Sequence, residues 1–319
     1  MKKKDLLLNR NILVIRFSAF GDVAMTLPAL YSVAKAYPNY TFYMLTSKNF
    51  EGLFANQLPN IKVIGVDLKL YKGVGGLLQL ATEIGKSYKI DAVADLHGVL
   101  RSQFIRSYFF LRGKKVKSID KDRAKKKAIV KHKAPLTQLK HSIDRYRDVF
   151  SELGLESEMS FTSYFESKIR NVAELNNLSF DVSKSNIGIA PFAMHAEKMY
   201  PVDKMEEVLK EIAAKSNTHI YLFGGGKKEK EKFREWEAKY SNVTSVIGKL
   251  TLEKELLLIS YLSVLVSMDS ANMHLASLVN TPVVSVWGAT HPYLGFYGYN
   301  QPPNNAVQLN DLDCRPCSV

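Results

Sequence analysis

The chain has 319 residues, 46% of them hydrophobic and 24% charged; this excludes a disordered or fibrous protein and allows two domains of about 150 residues each. The formal net charge is +13, an excess that points to an anionic partner: nucleic acid, phosphorylated substrate or membrane surface. The only cysteines, Cys314 and Cys317, exclude a disulfide scaffold and fit a reducing cytoplasm.

In chain order, MKKKDLLLNR has too few apolar residues for a signal peptide, and no later run has the length to span a bilayer. Asn11–Phe17 (NILVIRF) reads as a buried strand and Val23–Ala36 as a helix. Thr41–Leu45, Ile61–Val66 and Ile90–Asp95 read as further strands separated by helical stretches, and such alternation implies βαβ units and a parallel sheet. From Arg112 to Lys133 the chain holds eleven Lys/Arg against two Asp, a net +9 that is most of the surplus. Periodicity weakens between Leu153 and Ser185, which places a domain boundary near residue 170. The pattern then restarts, with strands at Asn186–Ala190, His219–Phe223, Val264–Ser267 and Val283–Trp287. Helices are predicted at Val202–Ala214, Lys227–Tyr240, Glu253–Tyr261 and Ala271–Val279. Two α/β halves in tandem suggest a ligand between them, at the carboxyl ends of the strands.

Four strand-to-helix turns can carry chemistry. In IRFSAFGDVAMTLP, Asp22 either caps the following helix or serves as a base or hydroxyl grip; Ser18, Ala19 and Gly21 leave room for a substrate. In ADLHGVLRS a helix is expected from about Val99, projecting Arg101 and Arg106 toward the rim that carries Asp22, or else presenting a solvated basic face. His97 reads as structural. In IAPFAMHAEKMYP, Lys198 just precedes a helix start, where free N–H groups and a lysine together suit a phosphate; alternatively it is a surface lysine. In VSMDSANMHLASLVNTPVVSVWGAT, Asp269 closes a strand, Ser270 and Ala271 are small, and His274 lies one turn into a helix. That arrangement offers N–H groups to a diphosphate and a carboxylate to sugar hydroxyls; the bland alternative is an N-cap and a packed histidine. FGGGKKE lacks both the dinucleotide and the P-loop spacing.

Together, ILVIRFSAFGDVAMTLPAL, DLHGVLRS, Lys198 before Tyr200-Pro201, and DSANMHLASLVNTPVVSVWG resemble the family 9 glycosyltransferases, the lipopolysaccharide heptosyltransferases. The resemblance implies an α/β GT-B fold, with two Rossmann-like domains facing across a cleft: an acceptor domain over residues 1–170 and a nucleotide-sugar donor domain over 171–319. It implies inverting transfer, without metal or cofactor, of heptose from ADP-heptose to a lipopolysaccharide core acceptor. Asp22 then matches the general base, and Ser18, Gly21, Arg101 and Arg106 fall on the acceptor side. Lys198 matches the lysine on the donor phosphates and Asp269 the grip on sugar hydroxyls. Ser270, Ala271 and Asn272 would meet the diphosphate with His274 nearby, and Leu250 would line the nucleobase pocket.

The sequence departs from the family where Asp269-Ser270-Ala271 replaces Asp-Thr-Gly, where Ala193-Met194 replaces hydroxyl-bearing residues, and where Tyr200 replaces Trp. These changes bear on the donor sugar more than on the reaction. Rival readings are a GT-B transferase using another nucleotide sugar, or a non-catalytic nucleotide-sugar or lipid-binding protein. Two Asp-x-Asp matches, at Asp120–Asp122 and Asp311–Asp313, follow no evident core strand and read as chance. The 112–133 run is expected to draw the acceptor domain to the anionic cytoplasmic face of the inner membrane. It lacks the interleaved aromatics of a nucleic-acid site, so no nucleic acid is expected. Cys314-Arg315-Pro316-Cys317 resembles a cysteine-bearing segment of many family members, and two cysteines do not complete a zinc site. Two residues after Cys317 leave no room for the C-terminal helix common in this fold, so truncation or a different closure is expected.

Overall fold

A computed structural model describes residues 9–54, 57–166, 168–178 and 180–318. The chain forms two compact units. The first runs up to Arg123 and resumes over Lys140–Thr162; the second takes Ala124–Leu139 and everything from Ser163 onward. The division therefore falls at 162/163, and the stretch 124–139, expected in the first domain, packs with the second.

In the first unit, β1 (Asn11–Ile15), β2 (Thr41–Ser47), β3 (Ile61–Val66), β4 (Ala92–Asp95) and β5 (Lys115–Ser118) form one sheet in the order β3-β2-β1-β4-β5. Every neighbouring pair is parallel. Its crossovers are α1 (Phe20–Ala36), α2 (Gly73–Tyr88) and α3 (Leu100–Phe110). Parallel strands covered on both faces are continuous apolar runs, and in β1 Ile12 to Ile15 are all buried. Leu13 and Ile15 meet Leu77, Leu80 and Ile84 of α2 and Ile105 and Phe109 of α3 in one cluster.

The short helix α4 (Arg123–Val130) begins where the chain passes to the second unit, and α5 (Ser142–Leu153) lies where it has returned. Tyr146 and Phe150 of α5 are fully buried, Phe150 edge-on to Phe42 of β2.

The second unit contains β6 (Ser185–Ala190), α6 (Val202–Ala213), β7 (Thr218–Leu222), α7 (Lys227–Lys239), β8 (Val243–Ser245), α8 (Leu252–Ile259), β9 (Val264–Met268), α9 (Ala271–Leu278), β10 (Val283–Val286) and β11 (Ala306–Val307). Its sheet is again parallel, in the order β11-β10-β9-β6-β7-β8. Met205, Leu209, Phe233 and Trp236 of α6 and α7 pack on Ile189, Ile220 and Met268.

Strand order fixes where a ligand can sit. Chain direction around the sheet reverses between β1 and β4 in the first unit and between β6 and β9 in the second. The loops leaving such a pair part to opposite faces and leave a crevice at the carboxyl ends. Asp22 and His97 follow β1 and β4; Lys198 and Asp269 follow β6 and β9.

Candidate active site

At the first crevice the chain leaves β1 with Arg16, a cation that is only 3% exposed. Burying a guanidinium requires partners on its rigid fork. Its Nη1 donates to Leu96 O (2.8 Å), and its Nη2 is ion-paired with Asp22 Oδ2. The Arg16 side chain is 4% exposed and that of Asp22 39%, so the carboxylate is held from below and meets solvent above. Asp22 does not cap α1: the N-cap is Ala19, without a side-chain bond, and α1 starts at Phe20, three residues before the predicted Val23. Asp22 thus lies in the first helical turn, where an anion is favoured by the helix dipole. Tyr146 O–H donates to Asp22 O (3.3 Å), and its ring lies 5.9 Å from the Arg16 guanidinium.

The turn after β4 is built by Asp95, which is fully buried. Its Oδ1 accepts from His97 N and Gly98 N (2.9 Å each), and its Oδ2 from Ser102 Oγ (3.0 Å) and Arg106 Nη1 (3.1 Å). Gly98 adopts φ +58°, and a Cβ there would lie 3.1 Å from Ile119 Cγ2, so two constraints select glycine. This turn brings His97 to the Asp22 group, where its Nδ1 accepts from Phe17 N at 3.4 Å. Burial, then the charges of Arg16 and Lys121, push the His97 pKa down to about 3. A neutral ring accepting at Nδ1 carries its proton on Nε2. Lys121 faces the same charges; burial and then Arg16 lower its pKa to about 8, with Asp22 acting in the opposite sense.

The expected acceptor residues separate. Ser18 stands in the β1–α1 turn, and Gly21, next to Asp22, lies in the first turn of α1. Arg101 is exposed on the first turn of α3. Arg106, expected to point to the rim of Asp22, is instead ion-paired with buried Asp95 at 3.1 Å.

At the second crevice Lys198 closes a short 3-10 turn, Ala196–Lys198. Its Nζ donates to Asp269 Oδ2 at 2.7 Å, and Thr290 Oγ1 donates to the same oxygen at 2.7 Å. Asp269 is not the N-cap of α9; Ser270 is, with its Oγ 3.2 Å from Ser267 Oγ and no side-chain cap bond. Ala271 and Asn272 form the first turn of α9, and His274 behind them is buried. Leu250, half-buried, directly precedes Thr251, the N-cap of α8.

The loop after β10 ties these parts together. Ala289 N donates to Glu197 O (3.0 Å), and a Cβ on Gly288 would collide with that carbonyl, so the loop lies against the residue before Lys198. The C-terminal segment closes over its far side. Arg315 Nη2 donates to Thr290 O (2.6 Å) and Gln308 Oε1 (3.0 Å), and Cys317 N donates to Ala289 O (2.9 Å). Cys314 and Cys317 are both free thiols.

Of the two Asp-x-Asp matches, Asp122 pairs with Arg145 (3.0 Å), and Asp311 and Asp313 are exposed. Among the described residues no three His, Cys, Asp or Glu gather as metal ligands, and no helix is long and apolar enough to cross a membrane.

Sequence reasoning missed Arg16, Asp95 and Lys121 in the first unit and Thr290 and Arg315 in the second. Arg16 alone left a signal, a charge at the end of an otherwise apolar strand.

The profile of glycosyltransferase family 9 (heptosyltransferase) matches residues 78–319. The lipopolysaccharide core heptosyltransferase OpsX of Haemophilus influenzae is 26% identical, covering 95% of this chain and 83% of its own. Lipopolysaccharide heptosyltransferase 1 of Escherichia coli K12 is 24% identical over 94% and 96%. Among solved structures, a family 9 glycosyltransferase from Veillonella parvula superposes with a TM-score of 0.73 at 21% identity, over 95% of this chain and 88% of that one. The E. coli heptosyltransferase WaaC with ADP gives 0.67 at 20%, over 93% and 92%. The two α/β units are those of the GT-B architecture.

Proposed function

The chain belongs to glycosyltransferase family 9, and from that membership we propose an inverting, metal-independent transfer of heptose from ADP-heptose to a lipopolysaccharide core acceptor. The observation that carries this reading is a pair of built crevices: a half-exposed carboxylate on a buried guanidinium in one unit, and a lysine–carboxylate–threonine cluster beside a helix start in the other. Curated relatives named as lipopolysaccharide heptosyltransferases, and a relative's structure with an ADP-2-deoxy-2-fluoro heptose, support the choice of donor and acceptor.

A sugar hydroxyl is a poor nucleophile near neutral pH. Asp22 is proposed to take its proton as the oxygen attacks the anomeric carbon of the donor, while the bond to the diphosphate breaks and ADP leaves with the electron pair. Arg16 orients the carboxylate from below. Lys198 has three N–H groups and Asp269 takes one, leaving capacity for a donor phosphate. Lys198 and the first N–H groups of α9 would oppose the charge that grows on the leaving diphosphate. The carboxylate of Asp269, fixed through Oδ2, would accept sugar hydroxyls at Oδ1, and Leu250 would meet the nucleobase. Ser18, Gly21 and Arg101 stand as the acceptor contacts. The protein is proposed to work at the cytoplasmic face of the inner membrane, its basic surface drawn to anionic lipid.

Two measurements test this. Asp22→Asn is expected to lower turnover by about 100-fold or more with donor affinity near wild type; unchanged turnover would remove Asp22 from the mechanism. In a panel of ADP-, GDP- and UDP-sugars, ADP-heptose is expected to be consumed. Use of a non-ADP donor alone would overturn the assignment, an outcome that Ala193-Met194 in place of hydroxyl residues makes worth measuring.

A further inference from the structure

Among the described residues, seven of the sixteen large hydrophobic side chains that stand exposed lie between Leu70 and Leu111. Four belong to α3 and the residue just past it: Leu100 (73% exposed), Phe104 (36%), Phe110 (67%) and Leu111 (81%). At 100° per residue, positions 100, 104 and 111 fall on one narrow stripe of the helix. The buried face of α3 lies elsewhere: Ile105, Tyr108 and Phe109 enter the core against α2. The helix therefore carries two apolar faces, one used by the fold and one without a role in it. A monomeric soluble domain seldom leaves such a stripe in water without a use.

Charge says what covers it. From Leu96 to Ile119 the sequence has six Lys/Arg and no Asp or Glu. Arg106 is engaged by Asp95, and Lys117 pairs with Glu152 at 3.2 Å. The exposed Arg101 and Arg112 stand directly beside Leu100 and Leu111, one at each end of the stripe. The Arg112 guanidinium lies 3.5 Å from the centre of the Tyr108 ring, which holds it at the helix end. Leucine and phenylalanine flanked by cations is the chemistry of a helix lying in a bilayer interface, its side chains among acyl chains and its arginines among anionic headgroups.

We propose that the outer face of α3, with Leu100, Phe104 and Leu111 on the stripe, Phe110 exposed to one side of it, and Arg101 and Arg112, docks the first unit on an anionic lipid bilayer. This deepens, and rests on, the reading of the protein as a transferase working at a membrane surface, and it moves the contact from the 112–133 run to α3. That run divides between the units: from Ala124 onward it packs with the second unit, where Ile129 is buried and Lys126 Nζ lies 5.2 Å from the Phe296 ring centre. An apolar contact also differs from a purely electrostatic one in surviving salt.

The test is co-sedimentation of the full chain with vesicles of phosphatidylcholine alone or with phosphatidylglycerol added, at low and high salt. Wild type is expected to pellet with the anionic vesicles and to keep part of that binding in high salt. The triple variant Phe104→Ser, Phe110→Ser, Leu111→Ser is expected to partition at least tenfold less, with its melting temperature and its turnover on a delipidated, soluble acceptor unchanged. Binding of the triple variant within twofold of wild type overturns the docking face but leaves the membrane reading standing, as does loss of binding only in Lys125→Gln, Lys126→Gln, Lys127→Gln. Absence of wild-type binding to either vesicle overturns both. A change of oligomeric state in the triple variant, with vesicle binding retained, assigns the stripe to a contact between copies and overturns the proposal.

Discussion

At the scale of residues, the Asp22 group is a set of charges that constrain one another. Arg16 is buried because Asp22 and the Leu96 carbonyl share its fork, and the same guanidinium, together with Lys121 and the loss of water, keeps His97 neutral. The consequence for stability has a definite sign. The His97 pKa falls from an ordinary 6.5 to about 3 on folding, so between those values the unfolded chain binds a proton that the folded protein refuses. Stability is untouched above that window and falls as the solution is acidified through it. His97→Gln removes the site. Urea unfolding at pH 7, 5 and 4 is expected to show the variant losing less stability on acidification, by up to about 1.4 kcal/mol for each pH unit inside the window. Equal slopes would mean that His97 protonates freely in the folded protein.

At the scale of elements, both candidate sites are loops at strand ends, held from behind by other loops. Asp95 holds the His97 turn; the β10 loop and the C-terminal segment hold the Lys198–Asp269 pair. Arg315 is a positioning residue in this scheme, since its guanidinium fixes the carbonyl of Thr290 while the Thr290 hydroxyl fixes Asp269. Arg315→Met is expected to raise KM for the donor about tenfold, the equivalent of about one charge-assisted hydrogen bond. Turnover at saturation changes less, and Arg315→Lys recovers part of the loss. An equal fall in kcat with unchanged KM would place Arg315 outside donor binding. The strands and helices around these loops were legible because apolar runs of strand length alternate with amphipathic stretches. The missed strands β5, β8 and β11 are short edge or near-edge pieces, as in the half-exposed KVKS of β5, and carry little periodicity. Asp22, Lys198 and Asp269 could be singled out as candidates because each lies where the chain leads from a strand into a helix. Arg16 as a buried partner, Thr290 and Arg315 were not: their roles come from contacts 7 to 80 residues apart in sequence, which no local pattern encodes. The bland alternative of Asp22 as a helix cap fails for a local reason, since α1 begins at Phe20 and places Asp22 inside its first turn.

At the scale of the whole molecule, the chain does not divide at one point. After β5 it lends residues 124–139 to the second unit and then returns as α5. Sequence patterning could not show this, because a short basic helix reads as solvated whichever unit it joins. In the second unit this excursion has its own small core: Ile129, Leu139 and Leu294, with Ala134 and Phe296 against them, and Leu139 N donating to Tyr293 O at 2.8 Å. Phe296 also faces the Lys198 ammonium at 5.4 Å and the Trp287 ring at 5.9 Å, so the lent segment supports the ground under Lys198. Ile129 is 4% exposed, and Ile129→Ala is expected to cost about 2–5 kcal/mol, the range for emptying a buried aliphatic site. Because the cavity opens in the second unit, amide exchange should speed up at Leu294, whose N–H is held by His291 O at 3.0 Å, and donor affinity should weaken with it. Amides of β1 should keep their protection. Equal loss of protection in β1 and at Leu294 would show that residues 124–139 stabilise both units alike, and the discontinuous second unit would have to be redrawn.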